Sequence, residues 1–257
     1  MKHFAVTLEN CEQFIFPSVL AEYSYEICVS IPKQTPPIKG FPVHYVLDGS
    51  FYFQHARDVV KLQSRNTLKT QIEPAIVVGI GHAEETMHAG RFYDFTAPAE
   101  SYSYPERLHG RTLGPHGGAL KFIEFIEQEL KPYIESTYPI NTRKQSLFGH
   151  SLSGYFALWV LFTKPELFQV YLASSPSIWW NNHELTQYAQ QYLDTTPDQK
   201  RLLLTVGEHE KFMVDDATAL SQLLNNHHYP AELFIAPDEN HASVVPTILS
   251  RAFRFTQ

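Results

Sequence analysis

The chain has 257 residues, of which 44% are hydrophobic and 18% charged. It is long enough to bury a sizeable core, and a single domain over residues 1–257 is predicted. Its formal net charge of −7 argues against a general affinity for nucleic acid or for an anionic membrane. The 13 histidines are scattered and form no HExxH motif or Cys/His cluster, so no metal site is predicted.

The amino-terminal segment and the cysteines bear on where the protein resides. The first ten residues hold no unbroken apolar stretch, and no run in the chain reaches 18 apolar residues, so neither a secretory leader nor a membrane span is predicted. Cys11 and Cys28 are too few for a disulfide scaffold. A bridge between their neighbouring extended segments is geometrically possible, but two small buried thiols are favoured. We expect a cytoplasmic location.

In chain order, the predicted elements begin with two extended segments between residues 10 and 32. Tyr23, Tyr25, Ile27 and Val29 alternate along the second segment, which is the period of a half-buried strand, so an antiparallel pair is predicted. Six short apolar runs follow, each ended by a turn signal, at residues 43–47, 75–80, 146–148, 170–173, 202–206 and 233–236. Such runs are typical of parallel strands that are covered on both faces.

Helical patterns separate these runs. Residues 119–138 have apolar side chains three or four apart, with a kink or a new helix expected at Pro132. Residues 155–162 are apolar nearly all round, and residues 212–224 are amphipathic. The alternation predicts an α/β fold with a doubly wound, mostly parallel sheet of about eight strands. Residues 82–118 show little periodicity, and we expect a long loop there that overlies the functional site.

The strongest chemical signal is the hexamer GHSLSG at residues 149–154. It follows an apolar run and precedes an apolar helix, which is the context of a nucleophile elbow, where a sharp turn raises the hydroxyl of Ser151 above the carboxyl ends of the strands. The strained turn requires small flanking residues, which Gly149 and Gly154 supply. Ser153 stands where the GxSxG pattern has its second glycine. The alternative is an ordinary turn with an N-capping serine.

A serine hydroxyl needs a general base and an acid that orients the base, and behind such an elbow the chain order is serine, acid, histidine. His241 follows the last apolar run and is the predicted base. His227 and His228 lie at a predicted helix end, where a capping role is favoured. The acid should follow the fifth run, where Glu208 and Glu210 are both candidates and Glu210 is favoured. Either carboxylate could instead be a charge that the next helix favours at its N-terminus.

Two backbone amides are expected to hold the oxyanion of the reaction. One is the amide of Leu152, directly after the nucleophile. The other should come from the turn at residues 48–51, where Gly49 permits close approach and Ser50 is the predicted donor. The alternative is an ordinary Asp-Gly turn.

Beyond these motifs, the chain resembles the "putative esterase" family of α/β-hydrolases. This family includes enterobactin and bacillibactin trilactone esterases, S-formylglutathione hydrolases, feruloyl esterases and mycolyltransferases, and the resemblance is greatest to the siderophore trilactone esterases. The matching segments run in order: YVLDG at 45–49, VVGIG at 77–81, RFYDFT at 91–96, GGA at 117–119, GHSLSG at 149–154, SPSIWW at 175–180, GEHE at 207–210 and HASVVP at 241–246. The resemblance implies an α/β-hydrolase fold with Ser151 as nucleophile and His241 as base. It also implies a carboxylate in the turn at 207–210, without deciding which one.

Candidates for substrate binding follow from their positions. Arg91 follows the segment that ends at Gly81, and its guanidinium there would meet an anionic substrate. A structural pair with Asp94 is equally favoured. Of the tryptophans that follow a Ser-Pro turn, Trp179 and Trp180, one is expected to wall the pocket while the other packs inward, and Trp180 is chosen. Further candidates in the loop over the site are Tyr102, Tyr104, Arg107 and Arg111.

These inferences predict a serine esterase that forms an acyl-enzyme on a small-molecule ester and needs no metal or organic cofactor. The resemblance implies a siderophore trilactone as substrate, including its ferric catecholate form, although the acidic chain offers no overall attraction to that anion. The alternatives are a general acyl esterase, an S-formylglutathione-type thioesterase, and a non-catalytic binding module on the same fold.

Overall fold

One eight-stranded sheet organises the described part of the chain, which in this computed structural model comprises residues 1, 3, 7–83, 86–106, 114–195 and 200–257. Its strands are β1 (Cys11–Ser18), β2 (Tyr23–Ser30), β3 (Phe41–Leu47), β4 (Ile76–Gly81), β5 (Ile140–His150), β6 (Val170–Ser174), β7 (Arg201–Gly207) and β8 (Ala231–Ala236). They lie in the order β1-β2-β4-β3-β5-β6-β7-β8. β2 pairs antiparallel with both β1 and β4, and the remaining pairs are parallel. The predicted sheet and its antiparallel start are confirmed.

Burial explains which strands the apolar runs could reveal. Every residue of β3, β4 and β6 is buried, as expected for parallel strands between two helical layers. β5 is much longer than the predicted run at 146–148. None of its residues from 140 to 144 is buried, so this part of the strand carries no apolar run. Hydrophobicity therefore marked only the inner half of this strand.

The helices of the described residues cover both faces of the sheet. They are α1 (Gly49–Gln63), α2 (Thr67–Thr70), α3 (Met87–Asp94), α4 (Ala119–Phe125), α5 (Lys131–Thr137), α6 (Leu152–Thr163), α7 (Leu185–Thr195), α8 (Phe212–Asn226) and α9 (Val244–Phe255). α1 and α9 pack on one face, in an apolar cluster that includes Phe53 and Phe253. α4 to α8 contribute to a larger cluster on the other face. This is the α/β-hydrolase arrangement.

Two helical segments differ in detail from the prediction. α4 and α5 are joined by a π-helical turn, Ile126–Leu130, that ends two positions before Pro132, because proline lacks an N–H and its ring clashes with the carbonyl four residues earlier. The segment at 82–118 was predicted to be a loop, but it contains α3. Two helical turns are too short for a periodic pattern to be recognised in the sequence.

Other expectations concern location and domain organisation. In the parts of the chain described above, no helix combines the length and the apolarity needed to cross a bilayer. Cys11 and Cys28 are free thiols and are half-buried rather than buried, and the register places Cys28 opposite Gln13. One sheet that contains every described strand is what a single domain requires, and the division 1–257 stays a prediction.

Candidate active site

Ser151 lies in the sharp turn between β5 and α6. Its backbone has φ 59° and ψ −117°, a conformation that a side-chain-bearing residue keeps only where its surroundings enforce it. The Ser151 N–H donates to the carbonyl of Ser174 at 3.0 Å, and its carbonyl accepts from the Ser177 N–H at 2.9 Å. Gly149 is required here because a Cβ would lie 2.1 Å from the carbonyl oxygen of Ser153. The turn has the elbow geometry that the hexamer predicted.

The side chains of Ser151, His241 and Glu210 form one hydrogen-bonded chain. His241 Nε2 lies 3.0 Å from Ser151 Oγ, and His241 Nδ1 lies 2.6 Å from Glu210 Oε2. When Nδ1 carries the ring proton and donates a hydrogen bond to the carboxylate, Nε2 is free to accept the proton of the serine hydroxyl, which is the geometry of a general base. His241 follows β8 and Glu210 follows β7, so the carboxyl ends of parallel strands bring the three residues together.

The environment of Glu210 suits an ionised acid. Glu210 is 6% exposed, and its Oε1 accepts from Ser175 Oγ at 2.5 Å and from the Gly207 N–H at 2.6 Å. Burial raises the pKa of this carboxyl, but the hydrogen bonds from His241, Ser175 and Gly207 outweigh it and hold the pKa below its usual value. The geometry therefore favours Glu210 as the triad acid.

Glu208, the other candidate acid, contacts the backbone that leads to His241 and not the ring. It is exposed, and its Oε2 accepts from the Asp238 N–H at 3.0 Å. With His209, these residues bring potential metal-ligand atoms within 4.8 Å of one another. All three side chains are exposed, and exposed acidic groups commonly lie this close without a cation. Glu208 thus lies on the outer side of the loop that carries His241.

His150 packs against the ring of His241. The ring centroids of His150 and His241 are 4.6 Å apart, and the Tyr52 hydroxyl lies 2.9 Å from His150 Nδ1. Burial, followed by the proximity of His241, lowers the pKa of His150 to about 3, so this imidazole is neutral at ordinary pH. It therefore adds no positive charge beside the His241 ring. Sequence reasoning did not assign His150 a role, and its position next to Ser151 was the one signal available.

The predicted oxyanion donors lie at the N-termini of two helices. Leu152 is the first residue of α6 and Ser50 the second residue of α1, and amides in a first helical turn have no intrahelical acceptor and lie at the positive end of the helix dipole. The preceding strands, β5 and β3, are adjacent and parallel, so both helix termini lie at one edge of the sheet. Gly49 is needed in this turn because a Cβ would lie 2.7 Å from the carbonyl carbon of Gly79.

Ser153 and Asp48 connect these two helix termini. The Ser153 hydroxyl accepts from the His150 N–H at 2.9 Å and donates to Asp48 Oδ2 at 2.7 Å. From the other side, Arg91 donates from Nε to Asp48 Oδ1 at 2.5 Å and from Nη2 to Asp48 Oδ2 at 3.0 Å. Ser153, at the second glycine position of the GxSxG pattern, thus supplies a hydroxyl that links the elbow to Asp48.

Arg91 is paired differently from either prediction. Asp94 accepts from the Tyr25 hydroxyl at 2.9 Å and lies 2.8 Å from His82 Nε2, so the predicted Arg91–Asp94 pair is wrong. Burial opposes the charged form of Arg91, but the Asp48 carboxylate outweighs it and raises the pKa of the guanidinium. Because the side chains are only 21% and 1% exposed, the charge of Arg91 is largely compensated inside the protein.

The choice of tryptophan needs correction. Trp180 is 0% exposed, so the prediction that it walls the pocket is wrong. Its ring packs against four aromatic rings of the segment at residues 82–118: Phe92, Tyr102, Tyr104 and His116. Trp179 keeps part of its surface exposed and is the one of the pair that a ligand can reach. Arg107 and Arg111 lie outside the described residues.

An elbow serine, a histidine and a buried carboxylate at the carboxyl edge of this sheet are the arrangement of serine hydrolases with an α/β-hydrolase fold. The chain belongs to the family described as "Putative esterase", whose model matches residues 18–246. The protein is therefore a carboxylic ester hydrolase.

Similar proteins cover nearly the whole chain. The chain is 38% identical over 262 residues to ferri-bacillibactin esterase BesA of Bacillus subtilis (strain 168), a match that covers 98% of this chain and 91% of that protein. The fold of this chain is similar to that in the crystal structure of the BES protein from Bacillus cereus, with a TM-score of 0.92 and 41% identity over 100% of this chain and 99% of that one. It is also similar to siderophore hydrolase EstA from Aspergillus nidulans, with a TM-score of 0.83 and 27% identity over 99% and 98% of the two chains.

Proposed function

We propose that the protein hydrolyses the ester bonds of a siderophore trilactone, with Ser151 as nucleophile, His241 as general base and Glu210 as the acid that orients the base. The observation that carries the chemistry is the hydrogen-bonded chain of 3.0 Å and 2.6 Å through the imidazole. The end-to-end similarity to a protein named as a ferri-bacillibactin esterase supports the substrate class.

In the first half-reaction, Ser151 Oγ attacks the ester carbonyl carbon while its proton passes to His241 Nε2. The carbonyl electron pair moves to the oxygen, which accepts hydrogen bonds from the amides of Leu152 and Ser50. When the intermediate collapses, the C–O bond breaks and the leaving alcohol takes the proton from His241. In the second half-reaction, water gives a proton to His241 and attacks the acyl carbon, and Ser151 leaves with that proton. Glu210 stays ionised and stabilises the imidazolium in both halves.

The exposure of the site suits a large substrate. The His241 side chain is 44% exposed, so a macrocyclic ester can reach the reacting atoms at an open surface. Two aromatic side chains adjoin the site residues in the chain and are also exposed: Phe51 at 59% follows Ser50, and Phe212 at 40% follows the Glu210 turn. We propose that aromatic surfaces of this kind contact the catecholamide arms.

Recognition of the ferric form is proposed to depend on these arms more than on charge. The chain carries a net charge of −7, and the Arg91 guanidinium is already paired with Asp48. A cytoplasmic location is proposed alongside this activity and can be tested by cell fractionation with immunodetection of the protein.

The test is a side-by-side measurement of four substrates with product analysis by mass spectrometry: a ferric trilactone, the same trilactone without iron, S-formylglutathione and p-nitrophenyl acetate. We expect both trilactones to be cleaved to linear products with kcat/KM values well above that of the thioester. Ser151→Ala is the control that measures background hydrolysis. A clear preference for S-formylglutathione, or no cleavage of either trilactone, would contradict the siderophore proposal while leaving the ester hydrolase assignment intact.

A further inference from the structure

The Ser153–Asp48 hydrogen bond joins the two turns that carry the proposed oxyanion donors. Ser153 directly follows Leu152 in the elbow, and Asp48 directly precedes Gly49 and Ser50 at the start of α1. The two residues are 105 positions apart in the chain, and their side chains are 2.7 Å apart. One side-chain bond therefore spans the gap between the two halves of the oxyanion site.

The surroundings of this bond hold it in one geometry. Ser153 is 0% and Asp48 2% exposed. Asp48 adopts a left-handed conformation with φ 54°, which is unfavourable for most residues with a side chain. Its carbonyl also accepts from the N–H groups of Phe51 and Tyr52 at 2.9 and 3.1 Å, so Asp48 fixes the first turn of α1. Movement of its side chain would therefore move the Ser50 amide.

The elbow side is held equally firmly. The single proton of the Ser153 hydroxyl goes to the carboxylate, which is a stronger acceptor than a backbone carbonyl, while its oxygen accepts from the His150 N–H at 2.9 Å. That amide lies immediately before the nucleophile. The Ser153 side chain thus contacts the backbone of the elbow and the carboxylate of the facing turn at once.

We propose that Ser153 is a positioning residue which, through Asp48, holds the Leu152 and Ser50 amides at the spacing that the oxyanion requires. Arg91 completes the assembly by binding Asp48 from α3, so its part in the reaction is to position the carboxylate. This inference rests on the oxyanion site of the proposed function and adds the residues that set its geometry.

Loss of the Ser153 hydroxyl should lower kcat by less than the loss of an oxyanion donor and by more than the loss of a contact far from the site. Removal of one oxyanion donor typically costs about 10²- to 10³-fold in kcat. Ser153 donates nothing to the substrate, and its loss leaves both amides present but less well aligned. We therefore expect a decrease of about tenfold, because small misplacements of reacting groups are already costly.

The first experiment compares Ser153→Ala with the wild type on p-nitrophenyl acetate. We expect kcat to fall about tenfold and KM to change less than about twofold, since the missing alignment matters in the transition state and not in the bound substrate. Active-site titration with a phosphonate ester corrects for unfolded protein. The ratio of kcat values should stay constant across the pH range of activity, because the His241–Glu210 pair is untouched. Ser221→Ala is the matched control, since Ser221 is also buried in a helix, at 5% exposure, but lies in α8.

Asp48→Asn tests whether Ser153 acts through the Asp48 side chain. Asparagine tolerates the left-handed conformation, and its amide oxygen can accept from Ser153 Oγ, but its NH₂ group must then face Arg91, which donates to both oxygens of Asp48. The variant therefore weakens the connection from the Arg91 side, and kcat should fall. If Ser153 and Asp48 act through one connection, adding Ser153→Ala to Asp48→Asn should lower kcat by less than the product of the two single losses.

Two results would overturn the proposal. One is wild-type kcat per titrated active site in Ser153→Ala, and the other is a double variant in which the Ser153→Ala and Asp48→Asn losses simply multiply. Neither depends on siderophores, because p-nitrophenyl acetate is the substrate throughout. Failure of the proposed function would show separately, as trilactones left uncleaved by the wild type.

Discussion

Replacement of Glu210 by glutamine is expected to lower kcat for p-nitrophenyl acetate by about 10³- to 10⁴-fold, or about 4–5.5 kcal/mol of transition-state stabilisation. The size follows from the donors around the carboxylate. Oε1 accepts from the Gly207 N–H and from Ser175 Oγ, and the Gly207 donor is fixed in the backbone. The oxygen of the glutamine amide must face it, which turns the NH₂ group toward His241 Nδ1.

That orientation selects the wrong form of the histidine. An NH₂ group is a donor, so it stabilises the imidazole whose proton is on Nε2, and this tautomer cannot accept the proton of Ser151. Serine proteases lose activity on this scale when their histidine is held in the wrong tautomer. The side chain keeps its size and most of its hydrogen bonds, so the fold should persist.

The assay is kcat near neutral pH, corrected by active-site titration, with thermal unfolding measured in parallel. Glu208→Gln is the matched control, the same substitution two positions away on an exposed side chain, and should stay within about twofold of the wild type. A large loss in Glu208→Gln beside a nearly normal Glu210→Gln would refute the assignment of the acid. Wild-type activity in both variants would mean that Ser151 and His241 act as a dyad.

The remaining predictions concern the nucleophile, the buried ion pair and the pH dependence of stability. Ser151→Ala and His241→Ala should reduce turnover to a similar residual level, because triad members act as a unit, and a fluorophosphonate probe should label Ser151; labelling of another serine would contradict the choice of nucleophile. Arg91→Ala should lower the free energy of unfolding, measured in urea, by about 2–4 kcal/mol, because it leaves Asp48 buried without its cation. The same variant should slow hydrolysis of p-nitrophenyl acetate and of the ferric trilactone by similar factors. A loss confined to the ferric substrate would instead indicate that Arg91 recognises its charge. Burial lowers the pKa of His44 to about 3, whereas the pKa of a histidine in the unfolded chain is about 6.5. Below about pH 6.5 the unfolded chain therefore binds a proton that the folded protein does not. The free energy of unfolding should fall with pH in this range by up to about 1.4 kcal/mol per pH unit for this imidazole. His44→Gln should reduce the fall in urea-derived stability between pH 7 and 5 without abolishing it, because His150 is also buried and neutral. An unchanged slope would show that His44 does not remain neutral in the folded protein.

Several features of the site could be predicted because their signals are local. The elbow needs only a strand end, a serine between small residues and a following helix, all within residues 146–162, and the structure places Ser151 in that turn with φ 59°. Chain order reduced the number of candidates for the base and the acid, because in this fold each of these residues is expected to follow a particular strand. His241 was separated from other histidines in this way, and its ring lies 3.0 Å from Ser151 Oγ.

Features that depend on side-chain direction were less predictable. Trp179 and Trp180 are adjacent in the chain, yet the first keeps some exposure and the second has none, because consecutive side chains in a turn point in different directions. α3 was not detected because two turns of helix carry too little periodicity, and the outer half of β5 was missed because its side chains are polar and exposed.

By itself, the sequence determined the fold class and predicted the nucleophile and the order of the catalytic residues, because apolar periodicity and turn chemistry are properties of neighbouring residues. Only the tertiary structure placed Glu210, and not Glu208, against the His241 ring, gave Arg91 the partner Asp48, and placed Ser153 against that same carboxylate. Each of these contacts joins residues at least 31 positions apart. The physical reason is that a hydrogen bond or an ion pair forms over about 3 Å, and a chain pattern specifies no distance between segments until the sheet has brought them together.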